Sequence, residues 1–163
     1  MTTARRNRGS CAPLRLCAGL AALAACSDST ASSSSTSYVA ALSGAREIPA
    51  VRSTASGLAE FVRSGTALEY TVSASGFATP LAVGHIHIGG TGDIGPVIVP
   101  FVIVAQSGTV AHGSIDLSRA VTQGNITISS DSLRALFDNG NAYVNLHTAA
   151  YPGGELRGQI VRQ

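Results

Sequence analysis

Alternating apolar and polar residues fill the chain from Tyr38 to its end. In "ALEYTVSA", Leu68, Tyr70 and Val72 alternate with polar residues, which is the period of an antiparallel strand with one buried face. Turn-forming Gly, Pro, Asn and Asp separate this run from others of the same kind. The predicted strands are "GLAEFVR", "ALEYTVSA", "GHIHI", "VIVPFVIV", "GSIDL", "NITI", "AYVNLHT" and "ELRGQIVR".

One segment, "SDSLRALFDNG", has the helical period instead. Ser130 or Asp131 is the predicted N-cap, Leu133 and Phe137 share one face, and Gly140 supplies a left-handed end. Many short strands with one short helix predict an all-β protein. The expected architecture is an antiparallel Greek-key β-sandwich.

The N-terminal segment has the features of an export signal. Arginines in "TARRNRG" precede the apolar run "LCAGLAALAA", which has the length of a signal-peptide core and is too short to span a bilayer. The run ends in "LAAC", which resembles a bacterial lipobox, where the signal is cut before Cys26 and the thiol is acylated. The alternative is an ordinary secretory signal that is cut at a nearby Ala-x-Ala-like site. We therefore expect a signal peptide over residues 1–25 and a lipoprotein that faces the periplasm or the cell exterior.

The mature chain is predicted to hold a tether and one domain. The Ser-rich stretch at 26–37 has no apolar periodicity, which is typical of a flexible linker, and the domain occupies residues 38–163. Cys11 and Cys17 would leave with the signal, and lipid would consume Cys26. The domain then has no free thiol and no disulfide, so it depends on its hydrophobic core.

The charge of the domain excludes a nucleic-acid partner. The chain has 11 basic and 9 acidic residues, but Arg5, Arg6, Arg8 and Arg15 lie near the N terminus. The remainder has more acid than base and no lysine. A protein that neutralises phosphates needs a clustered basic face.

The stretch "GHIHIGGTGDIGPV" supports two different predictions. Gly90, Gly92 and Gly95 spell G-x-G-x-x-G, the dinucleotide fingerprint, which works only between a strand and a helix. Pro96 and a β-branched run follow instead. We expect these glycines to form a tight connection and to bind no dinucleotide.

The second prediction from this stretch is a metal site. His85 and His87 alternate with isoleucines, and in "AYVNLHT" His147 lies opposite the aliphatic face. If the two strands are neighbours, the three imidazoles converge on the outer surface, where they suit copper, or zinc as the weaker candidate. The alternative is that these histidines are solvated or hold the glycine loop in place. Affinity for metal should fall as the pH drops through roughly 6.5, the reference His pKa.

Other polar residues extend this hypothesis. Asp93 is a further candidate ligand, although a turn needs an Asp there in any case, and His112 is expected to be a surface residue. Residues that could hydrogen-bond to the metal-binding imidazoles share the outer face with the histidines or could reach it. They are Glu47, Asn145, Glu155 and Arg157. The alternative for the charged members of this set is a partly exposed ion-pair cluster of small energetic value.

The chain resembles the CHRD family, named for the repeated domains of chordin and widespread in bacterial exported proteins. The resemblance runs from Leu42 to Ile160. The segments that carry it are "LSGAREIPAV", "GLAEF", "LEYTVSASG", "GHIHIG", the "GPV" that follows, and "YVNLHTAAYPGGELRGQI". The last matches a "YVNxHT...PxGExRGQ" pattern and is the most specific. Ala50 stands where a second Pro is common, and Gly84 where Ala is usual.

The resemblance implies a fold similar to copper-zinc superoxide dismutase, with His85, His87 and His147 in places like its copper-ligand positions. Chordin is extracellular and binds growth factors, which favours a binding role. We expect a lipid-anchored binding or structural module rather than an enzyme, with a three-His copper site and an extracytoplasmic ligand or protein as partner. The alternatives are a copper-dependent redox enzyme of dismutase type, for which no bridging imidazole or zinc shell is found, and a metal-free adhesive module.

Overall fold

The computed structural model describes residues 1–2 and 34–163 of the chain. The predicted signal peptide, the lipidation site Cys26 and most of the predicted tether lie outside the described residues. Within the part that is described, no helix is long and apolar enough to cross a bilayer.

The described chain is built almost entirely from strands. They are β1 (Ser35–Ser43), β2 (Ser56–Ser64), β3 (Ala67–Ser75), β4 (Leu81–Ile88), β5 (Val97–Pro100), β6 (Gly108–Asp116), β7 (Val121–Gln123), β8 (Ile126–Ile128), β9 (Ala142–Thr148), β10 (Leu156–Gln159) and β11 (Val161–Arg162). A 3-10 turn covers Gly44–Arg46, and the helix α1 covers Ser130–Asp138.

The main sheet has a non-sequential strand order and curls upon itself. Its order is β5-β4-β9-β10-β1-β2-β3-β6, with β11 paired to β1, and its pairs are antiparallel. After β5, Phe101 N–H donates to Gly84 O at 2.8 Å, and Val104 N–H donates to Val110 O of β6 at 2.9 Å. This segment therefore joins the two edges of the sheet. The all-β sandwich is confirmed, and the likeness to the dismutase fold stays a prediction.

The core lies between the two halves of the curled sheet, where the predicted alternation places it. Leu68, Tyr70 and Val72 of β3 are buried, as their spacing predicts. Helix α1 adds Phe137, whose ring centroid lies 5.8 Å from that of Tyr38 and 5.7 Å from that of Phe61. These edge-to-face contacts fix the helix against the sheet.

The helix begins one residue earlier than the cap prediction requires. Ser129, rather than Ser130 or Asp131, is the N-cap, and its Oγ accepts a hydrogen bond from Ser132 N at 3.2 Å. Gly140 follows the helix with a φ of 68°, as the predicted left-handed end requires.

The cap makes a testable contribution to stability. We expect Ser129→Ala to lower the free energy of unfolding by about 1 kcal/mol, because an amide of the first turn loses its acceptor. Urea denaturation measures the change. Ser130→Ala is the matched control and should change stability by less than about 0.5 kcal/mol. Equal losses in the two variants would contradict the assignment of Ser129.

Two strand predictions need correction. The predicted strand "VIVPFVIV" ends at Pro100, and the hydrogen bonds of Phe101 to Gly84 and of Val104 to Val110 hold the segment that follows. Strand β1 begins at Ser35, inside the predicted tether, where Ser35 pairs with Ser64 of β2. Serines on an exposed strand have no apolar periodicity, so the alternation rule missed this part.

Candidate metal centre

The three predicted histidines converge on the outer face of β4 and β9. The two strands are antiparallel neighbours, with Val83 opposite His147 and His85 opposite Asn145. Because Ile86 and Leu146 are fully buried in the core, the alternating imidazoles project from the other face. One ring nitrogen from each of His85, His87 and His147 lies within 4.8 Å of the others. The predicted convergence is confirmed.

Backbone carbonyls fix the tautomers of two imidazoles. His87 Nδ1 lies 2.9 Å from Gly95 O, and His147 Nδ1 lies 3.1 Å from Pro152 O. A carbonyl oxygen only accepts, so each Nδ1 carries the proton and each Nε2 has a free lone pair. His87 Nε2 is buried, and no group of the described residues forms a hydrogen bond with it. This orphaned acceptor needs a donor or a metal.

His85 completes the cluster. Its Nδ1 lies 3.3 Å from His147 Nε2. Because His147 Nε2 has a lone pair, His85 Nδ1 donates to it when no metal is present. To bind a metal, His85 must move its proton to Nε2 and present the lone pair of Nδ1. The donor set would then be one Nδ1 and two Nε2 atoms.

The environment keeps the cluster neutral. Burial, followed by the charges of His147 and His87, lowers the pKa of His85 from 6.5 to about 4. Burial also lowers the pKa of His87 and His147, although their carbonyl partners oppose it. The stability that these groups contribute is present above pH 6.5 and is lost as the pH falls toward the lowered pKa values. Loss of metal affinity is therefore expected below pH 6.5 rather than near it.

Gly95 positions the carbonyl that His87 uses. A Cβ atom at this position would lie 1.6 Å from Ile88 O, so only glycine fits. Around it, Ile88 N–H donates to Pro96 O, and Gly89 N–H donates to Asn141 O. The loop then enters β5, not a helix, so the predicted tight connection is confirmed. Gly95 serves close backbone packing beside the histidines, whereas Gly92 has a φ of 97° and no close neighbour among the described residues.

The Tyr143 ring stacks on the ring of His87, and the Arg157 guanidinium stacks on Tyr143. The Tyr143 ring lies parallel to that of His87, with centroids 4.8 Å apart and planes at 11°, and Arg157 Cζ lies 3.5 Å from the Tyr143 centroid. In "AYVNLHT" the alternation puts Tyr143 on the same face as His147, but the pattern alone gives it no role. Its position two residues from Asn145 on the same face was the available indication.

The four residues predicted to support the histidines are buried, and the alternative of a partly exposed ion-pair cluster is wrong. Glu47, Asn145, Glu155 and Arg157 are between 1% and 7% exposed, and no ion pair of the described residues includes them. Asn145 Nδ2 donates to Glu47 Oε2 at 3.3 Å. Ser53 and Thr148 donate to Glu155. Of these four residues, Arg157 contacts Tyr143, which stacks on His87. The carbonyls of Gly95 and Pro152 orient the imidazole rings.

The remaining candidates lie apart from the cluster. Asp93 Oδ2 accepts a hydrogen bond from Gly90 N–H at 2.9 Å, which is the turn role, and Asp93 is not in the metal-competent group. His112 is exposed on β6, as predicted. Within residues 1–2 and 34–163, the three histidines are the one group of this kind.

The family follows from comparison with known proteins. The model of the CHRD domain matches residues 38–160, which is most of the chain. The chain belongs to the CHRD domain family. Neither the curated proteins nor the solved structures gave a match to the chain.

Gly84 stands where Ala is usual in the CHRD family, and the packing around it accommodates the glycine. This residue is buried in β4, and a Cβ atom there would lie 2.6 Å from Leu146 Cδ2 and 3.0 Å from Phe101 Cδ2. The two side chains occupy the space of the missing methyl group. The strand that carries His85 is therefore closely packed on its core face.

Glu47 gives the CHRD domain a second dependence on pH. Burial raises the pKa of this carboxyl from 4.5 to about 7, against the hydrogen bond from Asn145 and the charge of Arg157. The folded protein keeps the proton over a pH range in which the unfolded chain has lost it. Its contribution to the free energy of unfolding therefore falls as the pH rises from 4.5 to 7.

Glu47→Gln should remove this slope. Between pH 4.5 and pH 7, we expect the free energy of unfolding of the variant to rise by about 1–3 kcal/mol relative to that of the parent. The histidines affect both proteins equally. Urea denaturation at the two pH values measures it. The exposed Glu60→Gln is the control, and a difference that does not change with pH would contradict the assignment to Glu47.

Proposed function

We propose that this CHRD domain is an exported, lipid-anchored module that binds one copper ion through His85, His87 and His147. The observation that carries the proposal is the convergence of three imidazoles, two of which have their Nε2 lone pairs fixed by carbonyl bonds. His87 Nε2, buried without a partner, is the acceptor that a metal would satisfy. Within residues 1–2 and 34–163, no group competes with a metal for the lone pair of His87 Nε2.

The spacing of the nitrogens fits a coordination shell. Metal to imidazole distances of about 2.0 Å place two ligands of a tetrahedral site about 3.3 Å apart. His85 Nδ1 and His147 Nε2 are separated by 3.3 Å. His87 must approach only a short distance to complete the set, because all three nitrogens lie within 4.8 Å.

Copper is favoured over zinc at a site of three imidazole nitrogens. Imidazole suits both metals, but copper binds a given nitrogen site more tightly in the usual divalent order. The lowered pKa values leave the rings neutral at pH 7, so no proton has to be displaced from them. When bound, copper would supply a one-electron redox couple with an open coordination position.

A binding or structural role is favoured over dismutase-type catalysis. The chain has 4 His, and the fourth, His112, is exposed on β6 and is not in the group of residues that can hold a metal. It therefore cannot bridge the three-His site to a second, imidazole-bound metal. The partner of such a module is an extracytoplasmic ligand or protein. Superoxide turnover by the copper-loaded domain would favour the enzyme instead.

A copper titration tests the proposal. We expect residues 27–163, which lack the three cysteines, to bind one Cu²⁺ per chain and to prefer it to Zn²⁺. Calorimetry with a competing chelator measures the stoichiometry and the affinity. Weak binding without a fixed stoichiometry would contradict the site and leave the histidines as groups that fasten the adjoining loops.

The lipid anchor rests on the sequence "LAAC" after a basic and apolar leader. We expect intact-mass analysis of the envelope-purified protein to show acylation at Cys26, which would hold the module at the membrane. Cys26→Ala should abolish the acyl mass and release the protein. Unchanged processing and membrane retention in Cys26→Ala would contradict the anchor.

A further inference from the structure

A cavity lies beside the three histidines, on the opposite side of the Tyr143 ring from His87. Its volume is about 310 Å³, near the lower end of the range for small-molecule sites. It is lined by Ala45, Arg46, Ile48, Thr91, Gly92, Arg157 and Gln159. The described residues that line it include two arginines and no acidic residue.

Arg157 is a buried cation without a close counterion. The residue is 4% exposed, and within the described part of the chain no carboxylate oxygen lies within 4.0 Å of its guanidinium. The guanidinium of Arg157 lies over the Tyr143 ring. Its Nη2 donates a hydrogen bond to Gly90 O at 3.1 Å. Uncompensated buried charges are costly, so this position favours a bound anion.

The nearest buried acid is a weak counterion for Arg157. Burial raises the pKa of Glu47 more than the charge of Arg157 lowers it. The resulting pKa of about 7 leaves the carboxyl partly protonated at neutral pH. Its carboxylate bonds instead to Asn145. The positive charge at the cavity therefore remains largely uncompensated by the protein.

The remaining lining residues suit a carboxylate with a short apolar body. Arg46 is exposed at the end of the 3-10 turn. In the described part of the chain, its guanidinium makes one hydrogen bond, from Nη1 to Ser43 Oγ. Two planar guanidinium groups match the geometry of a carboxylate. Ala45 and Ile48 supply apolar wall.

We propose that the cavity formed by Arg46, Arg157 and Thr91 binds a small organic carboxylate. The guanidinium groups hold its oxygens, the Thr91 hydroxyl donates a further hydrogen bond, and the hydrocarbon part contacts Ala45 and Ile48. This site is separate from the three histidines and does not depend on copper.

Titration of the full chain with butyrate tests the site. In nonionic detergent, amide resonances of Thr91 and Gly92 should shift and saturate. Butyrate should bind on the order of tenfold more tightly than acetate, because two more methylene groups are buried. Butylamine, which has the opposite charge, should cause no saturable shift. Phosphate that binds more tightly than butyrate would overturn the assignment to a carboxylate.

The variants separate the site from general surface charge. Arg46→Gln, at an exposed position that folding tolerates, should lower butyrate affinity at least about tenfold, since a charge-assisted hydrogen bond is lost. Arg52→Gln, an exposed arginine outside the lining, should bind as the parent does. Unchanged affinity in Arg46→Gln, or equal losses in both variants, would overturn the proposal. Copper binding should be unaffected in both, so failure here is distinguishable from failure of the metal site.

Discussion

His87→Ala and His147→Ala are each expected to lower the affinity for Cu²⁺ at least about 100-fold. Loss of a group that only orients a ligand costs about 10–100-fold in metal affinity, and loss of the ligand itself should cost more. Each variant leaves two imidazoles, which hold copper in a looser and more hydrated shell. His85→Ala should behave in the same way, because its Nδ1 faces His147 Nε2 at 3.3 Å. Chelator competition at pH 7.4 measures all three constants.

His112→Ala is the control for this series. The side chain is exposed on β6, and it is not in the group that can hold a metal. Its copper affinity should agree with that of the parent within about twofold. If the four variants bind alike, or if His112→Ala alone loses affinity, the three histidines do not form one site. Far-UV circular dichroism of each variant checks that the sheet is intact.

Gly95→Ala should damage both the fold and the metal site. Its Cβ atom would lie 1.6 Å from Ile88 O, so the backbone of the loop must move. We expect the free energy of unfolding to fall by about 2 kcal/mol or more, as for other overpacked sites. Movement of Gly95 O also removes the acceptor that orients His87, so copper affinity should fall about tenfold or more.

Gly153→Ala is the matched control for this substitution. A Cβ atom on Gly153 would meet nothing within 4 Å beyond its chain neighbours, and this residue is not among the glycines with positive φ. Its stability and its copper affinity should be close to those of the parent. Urea denaturation and copper competition on the three proteins decide the matter. A Gly95→Ala protein that matches the parent in both would show that the loop does not position His87.

The alternation of side chains was sufficient to predict which face of each strand carries the histidines, because it depends on local geometry alone. Ile86 of β4 and Val144 and Leu146 of β9 are fully buried in the core, which places His85, His87 and His147 on the other face. What alternation could not supply was the pairing of the two strands. They are far apart in sequence, and the family resemblance favoured that pairing before the structure showed it.

The burial of the polar face could not be predicted from the strands. Charged residues opposite a core face normally meet water, yet Glu155 and Arg157 are buried because loops cover them. Ser53 reaches Glu155 from the loop before β2, and Gly90 O reaches Arg157 from the glycine loop. Such contacts depend on loop paths that have no periodic pattern. The role of Gly95 was missed for the same reason, since its close neighbour is a backbone carbonyl.

X-ray absorption spectroscopy of the copper-loaded domain tests the central claim most directly. The three-His site predicts about three nitrogen neighbours near 2.0 Å, with the multiple scattering that imidazole rings produce. His112→Ala should give the same spectrum, and His147→Ala should lose one imidazole. A parent spectrum with no imidazole scattering, or one that His147→Ala leaves unchanged, would contradict copper binding by these histidines.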